Sequence, residues 1–226
     1  MGDNSRLIKR DFESAFHHIP VSPIDTPLLG FQWEGIFYAE RFLLFGLRTA
    51  PYLFNLFAEV FHWILEQQLK KANISASIIH YLDDFLLVLD PGAITNLEQS
   101  SQIFISLCAQ VGLSIKTSKN EEGPALSFAG LVLDTGKIVI GLPDKKRQKA
   151  QKIISETGHI RSLSLLDIQK ITGYLNFVST VVPLGRTFLR RLYNMELYFP
   201  PQTATYHKRR ISGEAHKDLA WWSEVL

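Results

Sequence analysis

Only one cysteine, Cys108, occurs among 226 residues. An internal disulfide is therefore excluded, and the chain is expected in a reducing, intracellular compartment, cytoplasm or nucleus. Cys108 falls within a helical pattern of apolar residues and reads as a buried core thiol. No apolar run approaches the roughly 20 residues needed to span a bilayer, so no membrane partner is expected. The N-terminus, MGDNSRLIKRDF, lacks the apolar core of a secretory signal. Internal repeats and low-complexity linkers are also absent.

What is present is ordinary in bulk and uneven in charge. Apolar residues make up 46% and charged residues 20%, as in a globular protein with one large domain or two small ones. The net charge of +2 hides an asymmetry, because residues 1–136 sum to −6 and residues 137–226 to +8. An acidic first part joined to a basic second part suits a metal site beside a polyanion-binding surface. Ordinary solvated charged faces explain the same numbers equally well.

The pattern along the chain predicts mixed structure. Leu7–Phe12 reads as a strand, and Glu13–Ile19 as the start of a helix that Pro20 and Pro23 stop. Phe31, Trp33, Phe37 and Tyr38 flank Glu34-Gly35 in a hairpin pattern. Pro51 opens a helix running to about Lys71, with Phe54, Phe57, Phe61, Ile64 and Leu65 toward the core. Runs 78–82 and 85–89 read as two strands. A second helix starts at Thr95, with Glu98 completing a capping box and Gly112 as its C-cap. Leu97, Phe104, Cys108 and Val111 share one of its faces. Strands are expected at Leu126–Leu133 and Ile138–Ile140, joined through Asp134-Thr135-Gly136. Beyond Pro143 the pattern is helical. Ser164 with Asp167 starts one helix, whose stripe is Ile168, Ile171, Leu175 and Val178 and whose end is set by Pro183 and Gly185. The domain boundary is expected near residues 141–144.

Asp83 and Asp84 stand together inside the apolar stretch SIIHYLDDFLLVLD. Buried charge is costly unless a cation or donor satisfies it. Either a turn returns the pair to solvent, or a divalent ion neutralises it; magnesium favours such carboxylate oxygens. Asp11 ends another apolar strand and is placed to be a third ligand.

Five segments occur in order: RDFESAFHHIPV (10–21), FGLRTAPYLFN (45–55), YLDD (81–84), GLSIKTSKN (112–120) and LSFAGLVL (126–133). The series resembles palm motifs A to E of reverse transcriptases, and looks closest to those of retrotransposons of the long-terminal-repeat or DIRS-like type. SLLDIQKITGYLNFVSTVVPLGRTFLRRL is similar to the thumb that follows the palm. The resemblance covers about residues 6–195. It implies an α+β fold, a polymerase palm of antiparallel sheet packed on helices followed by an α-helical thumb, with the fingers truncated. The expected domains are palm 1–142, thumb 143–200 and a linker 201–226 toward an absent ribonuclease H domain.

The resemblance also implies RNA-directed DNA polymerase activity and assigns residues. Asp11, Asp83 and Asp84 would hold two Mg²⁺ ions (Mn²⁺ as substitute) about 3.5–4 Å apart. Lys119, with Lys116 as the competing choice, would be the general acid for the leaving pyrophosphate. Phe12, Phe16, Phe45 and Arg48 would bind the incoming dNTP, with Phe16 the steric gate against a ribose 2′-hydroxyl. Phe128, Ala129 and Gly130 match the primer grip. Lys145, Lys146, Arg147, Lys149, Lys152, Arg186, Arg190 and Arg191 would meet phosphates of an RNA or DNA template with its primer. For each, a structural role stands beside the functional one: solvated turn, core aromatic, surface cation or buried strand. His17, His18 and His80 receive no catalytic role. Three readings stay open: a polymerase active alone or with fingers or ribonuclease H supplied by a second chain, a binding module without synthesis, or a retroelement remnant.

Overall fold

The computed structural model describes residues 4–91, 94–200 and 207–226. The chain divides into two compact units, Met1–Val139 and Ile140–Leu226, slightly before the expected boundary.

In the first unit, β1 (Arg6–Asp11) is followed by a short 3-10 turn at Ala15–His18 instead of the expected helix. Ser14 takes a left-handed φ of 52° there and interrupts helical geometry. Strands β2 (Gly30–Trp33) and β3 (Ile36–Ala39) form the expected hairpin, with Glu34 and Gly35 at φ 50° and 77°, the mirror-image turn that suits strand twist. Helix α1 (Ala50–Lys71) carries Pro51 in its first turn and Lys70 and Lys71 in its last, each where helix ends favour them. Strands β4 (Ala76–Tyr81) and β5 (Asp84–Leu89) follow, then α2 (Ile94–Val111). Gly112, at φ 76°, ends α2 as expected. The Thr95 side chain of the expected capping box lies outside the described residues. Val111, expected in the core, is exposed at the helix end.

Next come β6 (Glu121–Gly123), β7 (Ala125–Phe128), β8 (Leu131–Asp134) and β9 (Val139–Gly141). The single strand expected over Leu126–Leu133 is thus two. Ala129 and Gly130, at φ 48° and 79°, fold it into a hairpin.

The main sheet has the order β4-β5-β1-β6 and is antiparallel throughout. Side chains alternate across a strand, so Ile8, Phe85, Leu87 and Leu89 enter one core with α1 and α2, while Leu7 and Leu86 join Leu126 and Phe128 in another. Five phenylalanines (Phe12, Phe54, Phe61, Phe85 and Phe104) fill the centre of the first. Phe12 meets the other four with ring centroids 5.2 to 6.4 Å apart. Each such ring contributes about 1.5–3 kcal/mol through burial.

The second unit is built from α3 (Asp144–Gly158), β10 (Ser162–Ser164), α4 (Leu165–Val178), α5 (Arg190–Glu196), β11 (Lys208–Arg210) and α6 (Gly213–Val225). Ser164 and Asp167 form the expected capping box on α4, and the stripe Ile168, Ile171, Leu175 and Val178 is buried. The helix ends before Pro183 and Gly185, since the hydroxyls of Ser179 and Thr180 bond the carbonyls of Asn176 and Phe177 at 2.6 and 2.7 Å. The tail is not the expected linker: β11 pairs with β10, and α6 places Ala215, Leu219 and Trp222 in the core of this unit. Residues 201–206 of that predicted linker lie outside the described residues.

Gly185 is buried close against Trp222. A Cβ there would lie 2.7 Å from the Trp222 ring and 3.0 Å from Ser179 Cβ. Gly185→Ala is expected to cost about 1–3 kcal/mol by overpacking, read as a lower urea midpoint at unchanged m-value.

Candidate active site

Tyr81 pairs with Asp84 across the β4–β5 hairpin, leaving Leu82 and Asp83 as its two-residue tip, with Leu82 at φ 54°. Asp84 opens β5 and stands directly opposite Asp11, the last residue of β1. The Phe12 amide donates to the Asp83 carbonyl at 3.2 Å and locks the tip onto β1. The three aspartates that are far apart in sequence thus meet at one sheet corner.

Like charges directly opposed on a sheet are destabilising. The Asp11 side chain is almost fully buried. Asp84 is pushed up to about 6, first by burial, then by its hydrogen bond to Asp11 and by the charges of Asp11 and Asp83, against Lys9. Asp83 is also raised, chiefly by burial; its own backbone hydrogen bond and Lys119 oppose this while Asp11 adds to it. Asp84 Oδ1 is buried with no hydrogen-bond partner.

Lys119 supplies the compensating charge. Its ammonium donates to Asp11 Oδ2 at 2.5 Å, and its pKa is raised, mainly by that bond. The segment before it runs alongside β1: Glu13 N–H donates to the Ser114 carbonyl and Lys116 N–H to the Asp11 carbonyl, both at 2.8 Å. A 3-10 turn at Thr117–Lys119 then brings the side chain back. Of the two competing lysines, Lys119 brings its ammonium to the carboxylates, and Lys116 contributes backbone.

Sequence reasoning passed over Lys9 and Arg10. Lys9 shares the face of Asp11 and pairs with Glu121 at 3.3 Å. Arg10, buried on the opposite face, donates to Ser101 Oγ of α2 at 2.5 Å, to Glu122 of β6 and to the Lys9 carbonyl. The alternation in LIKRDF was the available signal: a strand with Lys9 and Asp11 on one face commits Arg10 to the other.

The other expected residues are placed unevenly. The Phe12 ring is not at the site; strand alternation sends it into the phenylalanine core, which corrects its expected contact with nucleotide. Phe16 is held by Phe45 and Phe54, with centroids 4.8 and 5.6 Å away, and Phe45 is largely exposed. Arg48 is exposed just before α1. Phe128 is buried beneath the hairpin tip that Ala129 and Gly130 form. In the second unit, the ammonium groups of Lys146 and Lys149 lie over Phe177 and Tyr174, 4.2 and 4.7 Å from the ring centres. Arg147 pairs with Asp144, and Arg191 with Asp218 and Glu214. Lys145, Lys152, Arg186 and Arg190 are exposed, with Lys152 3.7 Å from Glu156.

Among the described residues, no set of three His, Cys, Asp or Glu side chains is arranged to hold a metal ion. The corner nevertheless suits a divalent cation chemically: hard carboxylate oxygens gather there, and one buried oxygen has no partner. No described helix is long and apolar enough to cross a membrane.

The family described as reverse transcriptase (RNA-dependent DNA polymerase) matches residues 2–133. The chain belongs to that family. Among curated relatives, the Gag-Pro-Pol polyprotein of Human T-cell leukemia virus 3 is 27% identical, across 81% of this chain and 12% of its own length. Protein P of Duck hepatitis B virus (strain Germany/DHBV-3) is 23% identical, across 82% of this chain and 23% of its own. The chain therefore spans under a quarter of each. The foamy viral protease-reverse transcriptase solved with an RNA/DNA hybrid has the same fold, at a TM-score of 0.73 and 20% identity, over 97% of this chain and 27% of that one. The foamy viral protease-reverse transcriptase dRH, solved in complex with double-stranded DNA, gives 0.75 and 17%, over 99% and 35%. The palm-type sheet and helices of this family member agree with the α+β class expected from sequence.

Two histidines brace the hairpin from behind. His62 of α1 and His80 of β4 approach Nδ1 to Nδ1 at 2.8 Å, and His80 stacks on Phe85 at 5.0 Å. Such an N···N bond holds one proton between two rings. The pKa of His80 is lowered by burial and by His62, against Glu59. A depressed folded value means that neutral His80 stabilises fully above its unfolded value of about 6.5. That contribution is lost as pH falls through the folded value. The melting-temperature gap between the wild type and His80→Phe is expected to shrink between pH 7.5 and 5; a constant gap would refute this coupling.

Proposed function

We propose that this chain carries the polymerase centre of a reverse transcriptase, joining dNTPs to a primer on an RNA or DNA template. The observation that supports it best is the convergence of Asp11, Asp83 and Asp84 at the corner where β1 meets the β4–β5 hairpin. In this reading the three aspartates hold two Mg²⁺ ions, with Mn²⁺ as substitute. Bound there, the metal supplies a lowered pKa for the primer 3′-hydroxyl and charge balance on the triphosphate.

The chain's own side chains do the rest. Lys119 gives a proton to the departing pyrophosphate. Phe16, fixed between Phe45 and Phe54, excludes a 2′-hydroxyl and so favours deoxynucleotides, and Arg48 meets a phosphate. The Ala129-Gly130 tip lets the primer backbone approach closely, since neither residue has a bulky side chain. Lys145, Lys146, Arg147, Lys149, Arg186 and Arg190 meet template–primer phosphates and supply affinity without reading sequence. The exposed rings of Trp33 and Phe37 on the β2–β3 hairpin support a second chain that packs against this hairpin.

Metal-dependent primer extension tests the centre. Extension by this chain is expected to be weak, and to vanish in Asp83→Asn/Asp84→Asn; equal extension by that variant would remove the proposed centre. Binding to template–primer duplex, followed by fluorescence anisotropy, is expected to weaken roughly 10²–10³-fold between 50 and 200 mM salt. Affinity independent of salt would contradict the phosphate contacts.

A further inference from the structure

We infer that Lys119 is the resident counter-ion of Asp11 and exchanges with a divalent cation, so that loading the carboxylates frees its ammonium to act elsewhere in the site. The inference rests on the metal-site reading above.

Three observations carry it. First, the ammonium occupies the cation's place: Lys119 Nζ sits 2.5 Å from Asp11 Oδ2, on a carboxylate only 4% exposed. A cation on that oxygen and an ammonium on the same carboxylate would repel within a few ångströms, where Coulomb energy is large even at moderate dielectric. The two occupants exclude one another. Second, the lysine can leave. Its side chain is 48% exposed, so release loses one charge-assisted bond and little packing. The backbone stays anchored meanwhile, by Lys116 N–H on the Asp11 carbonyl at 2.8 Å and Lys119 N–H on the Lys116 carbonyl at 3.0 Å. The freed ammonium therefore remains tethered next to the carboxylates. Third, no neighbour takes its place. Lys9 is engaged with Glu121 at 3.3 Å and Arg10 points to the other face of the sheet.

A lysine bonded to Asp11 is not available to protonate a leaving group. Exchange makes its availability conditional on a filled metal site, which orders the two events without any movement of the strands. Lys119 thereby becomes a positioning residue in the cation-free protein, beyond the proton transfer proposed for it.

Mg²⁺ alone, titrated into the full chain and followed by calorimetry and melting temperature, tests the exchange. Lys119→Gln is expected to bind Mg²⁺ about tenfold more tightly than wild type, the size of one charge-assisted bond, and Lys119→Arg to stay near wild type. In wild-type protein, acetylation of Lys119 read by mass spectrometry is expected to rise several-fold with Mg²⁺, while Lys145 on α3 stays constant. Asp11→Asn is expected to raise Lys119 acetylation without any metal. Unchanged Lys119 labelling at saturating Mg²⁺, or Lys119→Gln affinity equal to or below wild type, would overturn the exchange and leave the metal site standing. Absence of Mg²⁺ binding in both wild type and Lys119→Gln would overturn the metal site and the exchange together.

Discussion

The structure of the first unit turns on one repulsive pair, Asp11 opposite Asp84 at the end of the β1–β5 ladder. The register that opposes them is fixed by six consecutive partners from Arg6↔Leu89 onward. A one-residue slip would turn Leu86 toward the phenylalanine core and Phe85 out of it. Packing on both faces therefore dictates that two carboxylates meet, Asp11 buried and Asp84 partly so.

That conflict explains the cations around the corner. Lys119 answers Asp11 directly, and Lys9 eases the charge on Asp84 while bound to Glu121. Arg10 joins β1, β6 and α2 through Glu122 and Ser101. A buried arginine with partners on two other elements fixes how β6 approaches β1, and the Lys119 turn directly precedes β6. The buried cation on one face thus helps to place the Lys119 turn on the other.

Much of this could be read from residue order because local patterns and the fold agree. YLDD inside an apolar run requires a turn at the aspartates, Glu34-Gly35 and Pro51 mark a hairpin and a helix start, and Ser164-Asp167 caps α4. What could not be read depended on backbone choices with weak signals. Ala129 at positive φ splits a strand that alternation alone makes continuous, and Ser14 replaces a helix by one tight turn. Phe12 was misplaced because motif adjacency to Asp11 suggested the site, whereas strand alternation sends neighbours to opposite faces. The tail departs from a linker because β11 pairs with β10, a contact distant in sequence that leaves no local signal. Trp222 and Leu219 in the following helix carry the apolar signal that makes it core. Site chemistry divides similarly: the aspartates follow from motif and strand ends, while the Lys119–Asp11 bond joins residues 108 positions apart and leaves no local trace.

Local rules broken at a functional corner need compensation elsewhere. Here the broken rule is electrostatic, and the compensation is the phenylalanine core directly behind it. Phe85 follows Asp84 and Phe12 follows Asp11, so each carboxylate is succeeded by a ring fully committed to packing. Those rings meet at 5.2 Å. The alternation of a strand therefore couples charge and packing residue by residue: whatever holds the rings together also holds the carboxylates together. Substituting the acids would relieve repulsion and leave the core intact, so their repulsion is not a requirement of folding. It is tolerated by a scaffold stable enough to hold two acids face to face, which is the arrangement a divalent cation can use.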